Sequence, residues 1–391
     1  MMNWFDQIPV EKISEWRQHL HQHPELSFKE FKTSQYIYDT LSTFPNLELT
    51  RPTPTSVVAT LVGSAGDGKT IALRADMDAL PIQEETNVDF KSVNDGVMHA
   101  CGHDTHVAML LGAASVLSGM KDKLAGTVKF IFQHAEEQVP GGAQELVDAG
   151  VLKDVDQIFG IHIIPRLKTG SLGIVKTGYT TTAADGFFLK IQGKGSHAST
   201  PELSIDPIVV GSHMVMALQS IVSRNVPASE MAILSIGEFH SGQAPNIIAD
   251  TATLSCSIRT TNEEIRNLME KRVREIIDYV AAAYGATVEL DYVRGYSAVY
   301  STPELAEFAY QSATKVLGED LVYESPMLMA SEDFSAYTKV VPGCFMLLGA
   351  GLEEEGCGYM NHHPKFRVME EALVNGTKVE VQLILDLLGQ E

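Results

Sequence analysis

The chain has 391 residues, 45% of them hydrophobic and 20% charged, and its 50 acidic against 29 basic residues give a formal charge of −21. This length exceeds one ordinary compact domain and the apolar share is enough for a full core, so two globular domains are expected. The acidic balance argues against a nucleic-acid or anionic-membrane surface, which needs a basic patch, and neither partner is expected.

The N-terminal stretch is interrupted by Asp6, Glu11, Lys12, Glu15 and Arg17 and holds no leader-like apolar region. Apolar residues at three- and four-residue intervals predict helices over 13–22 and 28–44, parted by Pro24. Ser27 followed by Glu30 has the spacing of a capping box and predicts the second helix start. Short runs rich in Val, Ile and Phe over 56–62, 71–75, 127–133 and 157–164 predict buried strands, with helices over 105–120 and 142–149 between them. That alternation implies a largely parallel sheet covered on both faces. Gly63-Ser-Ala-Gly-Asp-Gly68-Lys69-Thr70 matches the phosphate-loop pattern letter for letter. Phosphate binding there needs a helix after the loop, whereas the next run reads as a strand, so a hairpin is expected instead.

From about residue 184 the rhythm changes. Strands are predicted over 185–194, 231–238, 247–259 and 287–293, and helices over 206–224 and 263–284, the second capped by Asn262 and stopped by Gly285. The order β-α-β-β-α-β is a self-contained ferredoxin-like unit. Helices over 304–317 and 369–388 and a strand over 344–348 resume the first pattern. The expected architecture is an α/β domain with a mostly parallel sheet, built from residues 1–183 and 297–391, interrupted by an α+β ferredoxin-like domain over 184–296. No run approaches the roughly 18 apolar residues that span a bilayer. Cys101, Cys256, Cys344 and Cys357 have no paired spacing, which fits a reduced compartment, and a cytoplasmic protein is expected.

Four segments concentrate metal-binding side chains. They are His99-Ala-Cys101-Gly-His103-Asp104-Thr-His106 before a helix, His134-Ala-Glu136-Glu137 after a strand, His162 within a strand, and Asn361-His362-His363-Pro364. In an open α/β sheet such strand ends converge. Imidazole, carboxylate and thiolate together suit zinc and other first-row divalent ions rather than magnesium or calcium. Any one of these histidines alone reads as a surface or core residue; the combination points to a metal centre. Adjacent glutamates on an extended chain diverge, so one of Glu136 and Glu137 can ligate while the other reaches a water; two solvated loop acids are the rival reading.

Arg74-Ala-Asp-Met-Asp78-Ala-Leu-Pro81, Met98-His-Ala-Cys-Gly-His-Asp104 and His134-Ala-Glu-Glu137, with Leu20-His-Gln-His-Pro-Glu-Leu26 and His362-His-Pro364 at the ends, resemble the dinuclear metallo-aminoacylase and carboxypeptidase family. The likeness is to its amidohydrolase branch of hippurate hydrolases, indole-acetyl-amino-acid hydrolases and N-acetyl-diaminopimelate deacetylases. The resemblance implies a zinc-peptidase-like catalytic domain, an inserted lid and two divalent ions, zinc or manganese, with cobalt or nickel as further options. It implies Cys101, His103, Glu137, His162 and His362 as metal ligands, with the Cys101 thiolate bridging where the wider family has an aspartate. Asp76 stands where the wider family has a ligand histidine, and His103 is expected to replace it.

By the same resemblance Glu136 is the catalytic base, His197 is a lid histidine that hydrogen-bonds the oxyanion across a dimer, and Asn246 and Arg259 bind the substrate's free carboxylate. A turn residue is the rival reading for His197, and a structural salt bridge for Arg259. Asp78 and Asp104 are candidates to orient metal-bound histidines, with exposed loop acids as the alternative. Ser331-Glu332-Asp333-Phe334 resembles a further family segment without assigned chemistry, and His19, His21, His23, His213 and His240 read as structural. The implied activity is hydrolysis of the amide bond of N-acyl amino acids or short peptides by a metal-bridging hydroxide, in a homodimer joined through the lid or a homotetramer. The alternatives are a dipeptidase or aminopeptidase of the same family, a cysteine hydrolase using Cys101 with His103 or His134, and a non-catalytic metal- or ligand-binding protein.

Overall fold

The computed structural model describes residues 4–176 and 178–390. In chain order, α1 (Val10–Gln22) and α2 (Phe31–Ser42) precede β1 (Leu47–Thr50), β2 (Val57–Val62) and β3 (Thr70–Asp76). Then come α3 (His103–Ser118), β4 (Thr127–Gln133), α4 (Gly142–Asp148), β5 (Gln157–Ile164) and β6 (Leu172–Ile174). A second series holds β7 (Ala183–Gln192), β8 (Ser196–His197), α5 (Pro207–Arg224), β9 (Ala232–Ser241), β10 (Ile247–Ile248), β11 (Thr251–Thr260), α6 (Glu263–Tyr284) and β12 (Thr287–Arg294). The chain closes with α7 (Pro303–Leu317), β13 (Val322–Glu324), α8 (Ser335–Thr338), β14 (Gly343–Gly349) and α9 (Glu371–Leu388). These elements fall into two compact units, Met1–Thr180 with Tyr300–Met327 and Asp333–Glu391, and Thr181–Val299 with Leu328–Glu332.

The first unit is built on an eight-stranded sheet of order β1-β2-β4-β3-β5-β14-β6-β13. Its centre, β4-β3-β5-β14, is parallel, whereas β2 and β6 run antiparallel to their central neighbours. The central strands are buried nearly throughout, as parallel strands covered on both faces must be. Helix α3 is buried at every position except Ser115 and packs on β3, α1 and α9, so its lack of a polar face reflects its place inside the unit.

In the second unit, β12-β7-β11-β9 form an antiparallel sheet, which is the strand order of a ferredoxin-like fold. Its helices start where capping chemistry places them. The Asp206 carboxylate accepts from the amides of Ile208 and Val209, Asn262 accepts from Ile265, and Gly285 ends α6 at φ 72°. Val210, Met214, Leu218, Met269, Val273 and Ile277 bury one face of both helices against the sheet.

Two local expectations fail. Residues 63–69 do not close a hairpin: β2 and β3 lie on opposite sides of β4, and the loop wraps the start of β4 through Gly63 N to Gly126 O at 2.8 Å and Ala65 N to Leu124 O at 3.0 Å. A strand does follow the loop, so the helix that phosphate binding needs is absent there. Nor do Ser27 and Glu30 form a capping box. The first turn of α2 is capped from further back, with Glu25 Oε2 accepting from Lys32 N and Thr33 N, both at 2.8 Å.

One buried cation ties the sheet to the loops above it. Arg74, on β3, is 2% exposed and donates to Asp76 Oδ2 at 2.7 Å, Gln133 Oε1 at 2.8 Å and Asp333 Oδ1 at 2.8 Å. Removing a partner from such a group leaves carboxylates buried without a counter-charge. Arg74→Met, which keeps most of the volume, is expected to destabilise the protein by about 3–5 kcal/mol in denaturant unfolding.

Candidate metal centre

The carboxyl ends of three neighbouring parallel strands assemble the site. Asp76 ends β3 and leads to Asp78; Gln133 ends β4 and leads to His134–Glu137; His162 lies near the end of β5. Cys101 and His103 enter at the start of α3 through Gly102, whose φ is 94° and where a Cβ would lie 2.3 Å from Ile163 Cγ2, so glycine is required. His362 is held in the left-handed region at φ 68°, its amide donating to Ala100 O at 2.8 Å.

All five proposed ligands gather in two overlapping groups. Donor atoms of Cys101, His103 and His162 lie within 4.8 Å of one another, and so do those of Cys101, Glu137 and His362. Cys101 belongs to both. Its Sγ is 3.4 Å from His162 Nε2, while Glu137 Oε1 is 3.2 Å from His362 Nε2 and 3.9 Å from His103 Nε2. His103 Nε2 and Glu137 Oε1 are buried, yet neither finds hydrogen-bond geometry with a neighbour. Orphaned buried polar atoms of that kind call for a partner, and the donor set fits divalent first-row cations.

The tautomers agree. His103 Nδ1 lies 3.1 Å from Asp78 Oδ1 and His162 Nδ1 2.8 Å from Ile163 O, so each ring donates from Nδ1 and keeps the Nε2 lone pair for a cation. Asp78 also anchors Glu137, accepting from its amide at 3.0 Å and from Ser27 Oγ at 2.7 Å, both at Oδ2. Asp76, His103 and His106 form a third cluster, but His106 has no nitrogen to spare. Its Nε2 accepts from Ile163 N at 2.9 Å, and its Nδ1 is 2.5 Å from Asp76 Oδ1.

The electrostatics point the same way. Burial alone would lower the His103 pKa, but Asp76, Asp78 and Glu137 outweigh it and lift it to about 10. Burial, together with Glu137 and Glu136, pushes the Cys101 thiol well above its ordinary value. Burial and the neighbouring His106 hold His162 well below the usual imidazole range. The cluster is thus rich in negative charge and holds protons where cations would sit. Glu136 lies within 4.8 Å of His103 and Glu137 at this cluster.

In the second unit, His197 pairs with Ile247 in the β8–β10 ladder and is exposed. Its Nδ1 accepts from Ser199 N at 3.1 Å, which leaves the proton on Nε2. Asn246 is exposed beside it, its carbonyl accepting from Ala198 N at 3.1 Å. The two line a cleft of about 830 Å³. Arg259 is half-buried on β11 and donates to Ile258 O at 3.2 Å, with no ion pair to it among the described residues.

The sequence pattern of peptidase family M20/M25/M40 matches residues 72–386. The chain belongs to that family. It is 46% identical over 299 residues to an N-acyl-L-amino acid amidohydrolase of Geobacillus stearothermophilus, covering 76% of this chain and 80% of the relative. It is 39% identical over 374 residues to thermostable carboxypeptidase 1 of Saccharolobus solfataricus, covering 94% of each. Among solved structures, the YxeP protein of Bacillus subtilis, described as a dinuclear metal-binding M20 peptidase, superposes with a TM-score of 0.82 at 35% identity, over 97% of this chain and 98% of that one. This M20 chain is accordingly an enzyme of amide-bond hydrolysis.

Against that family frame, one expectation needs correcting and several residues were missed. Asp104 orients no proposed ligand: its Oδ2 accepts from Arg17 Nε at 3.0 Å and lies 2.9 Å from His21 Nδ1, and His21 Nε2 lies 3.2 Å from Glu84 Oε1. His21, read as structural from the sequence, bridges two buried carboxylates. Arg74 and Asp333 both lie in segments that carry the family resemblance, but nothing in the sequence pairs them across 259 residues. His106 did, since it lies three residues after His103 on one helix and so shares its face.

A metal held by Cys101 and His103 would displace a proton from each, so loading metal-free protein near pH 8 is expected to release about two protons per chain. Titration in weakly buffered solution measures this, and Cys101→Ser is expected to remove about one of them.

Proposed function

We propose that this chain removes the acyl group from N-acyl amino acids, and that short peptides with a free carboxylate are its second substrate class. The observation that carries the reading is the pair of donor triads sharing Cys101, with Glu136 beside them and outside both. We assign one cation to Cys101, His103 and His162 and the other to Cys101, Glu137 and His362, with zinc or manganese as the first choice and cobalt or nickel compatible with the same donors. Bound there, two divalent ions would supply Lewis-acid polarisation of the amide carbonyl and a water that ionises near neutral pH.

The chain's own groups do the rest. Glu136 takes a proton from the attacking water as its oxygen bonds to the carbonyl carbon. It then delivers that proton to the departing nitrogen as the C–N bond breaks. Asp78 holds His103 and the Glu137 amide in register. Residues 184–296 are read as a lid. In it, Arg259 and Asn246 are assigned to the substrate carboxylate, and the His197 Nε2–H to the developing oxyanion across a homodimer or within a homotetramer. A cysteine nucleophile is disfavoured, because the burial and acidic neighbours that raise the Cys101 pKa leave little thiolate without a cation. Among the described residues no helix is long and apolar enough to cross a membrane, and we place the protein in the cytoplasm.

Two variants test this. Glu136→Gln is expected to keep both metal equivalents while lowering turnover of an N-acetyl amino acid by about 10²–10⁴-fold. Turnover at the wild-type rate would remove Glu136 from the mechanism. Arg259→Ala is expected to lower kcat/KM about 100-fold for an N-acetyl amino acid, yet to change little the already slow hydrolysis of the matching carboxamide.

A further inference from the structure

Glu30 belongs to none of the ligand, base or orienting roles above, yet it is fully buried beside them. Its Oε1 accepts two backbone amides, Phe28 N at 2.9 Å and Ala135 N at 2.8 Å. Both residues sit in the left-handed region, at φ 63° and 50°, a conformation that side chains with a Cβ adopt only when something holds them. Ala135 is the residue just before Glu136 and Glu137. Two residues on, Asp78 Oδ2 accepts the Glu137 amide, and Ser27 Oγ donates to that same oxygen. The turn carrying both glutamates is therefore pinned at each end by a buried carboxylate, and both carboxylates are reached from the segment 27–30. Helix capping does not account for Glu30, because Glu25 already serves the first turn of α2. Its second oxygen, Oε2, is buried without a hydrogen-bond partner, a cost that only the Oε1 contacts offset.

We propose that Glu30 is the positioning residue of this centre: by fixing the bend at Ala135 it aims Glu137 at the ion shared with Cys101 and His362 and sets Glu136 outside that ion's reach. The proposal rests on the dinuclear reading above. A neutral carbonyl can accept the same two amides, so Glu30→Gln preserves the brace and Glu30→Ala removes it.

Cobalt(II) titrated into metal-free protein, followed by its visible absorption, reads the outcome without any substrate. Wild type and Glu30→Gln are expected to bind two ions with similar spectra. In Glu30→Ala the second ion is expected to bind about 10–100-fold more weakly, with a changed band pattern as Glu137 leaves its position. If Glu30→Ala does not fold, Glu30→Asp replaces it: one methylene shorter, it cannot reach both amides, and the same weakening is expected. Two ions bound at wild-type strength with an unchanged spectrum in the shortened or truncated variant would overturn the proposal. So would a loss in Glu30→Gln as large as in Glu30→Ala. Failure of wild type to bind two ions would instead overturn the dinuclear reading itself.

Discussion

Negative charge that is buried and crowded is the constraint on which the rest depends. Asp76, Asp78, Glu136 and the Cys101 thiol are buried, Glu137 is mostly so, and they come together at the ends of three parallel strands. Such a cluster is stable only if cations surround it. From below, Arg74 neutralises Asp76 and Asp333. From the side, Arg17 and His21 of α1 neutralise Asp104, and the start of α3 turns its positive end toward Cys101. What the protein does not neutralise is the space between Cys101, His103, Glu137, His162 and His362, and the divalent ions are assigned there.

The same crowding explains the backbone. Of five described non-glycine residues with positive φ, Phe28, Ala135 and His362 lie at or beside the centre. Each is held by a specific hydrogen bond, to Glu30 or to Ala100 O, rather than by its own preference. Strain of about 1–3 kcal/mol at each such residue is tolerable only in a well-determined frame, and a buried sheet supplies one.

Much of this was legible in the sequence, and the reasons differ by residue. The central strands announced themselves as short apolar runs, and the ligands clustered in segments whose spacing is local: Cys101 and His103 around a glycine, Glu136 and Glu137 side by side. What escaped were relations set by distant partners. Asp104 follows His103 directly, but neighbours on a helix point about 100° apart, so its carboxylate turns to α1 instead. Ser27 and Glu30 have capping spacing, yet Asp78 and Ala135 capture their side chains. The loop 63–69 joins two strands with hairpin chemistry, but β4 inserts between them, which no local pattern records.

The most direct test of the account is X-ray diffraction from crystals loaded with manganese, with data on both sides of its absorption edge. The account predicts two anomalous peaks sharing Cys101 Sγ, one completed by His103 and His162 and the other by Glu137 and His362. A single peak, or two peaks with Cys101 bound to neither, would contradict it.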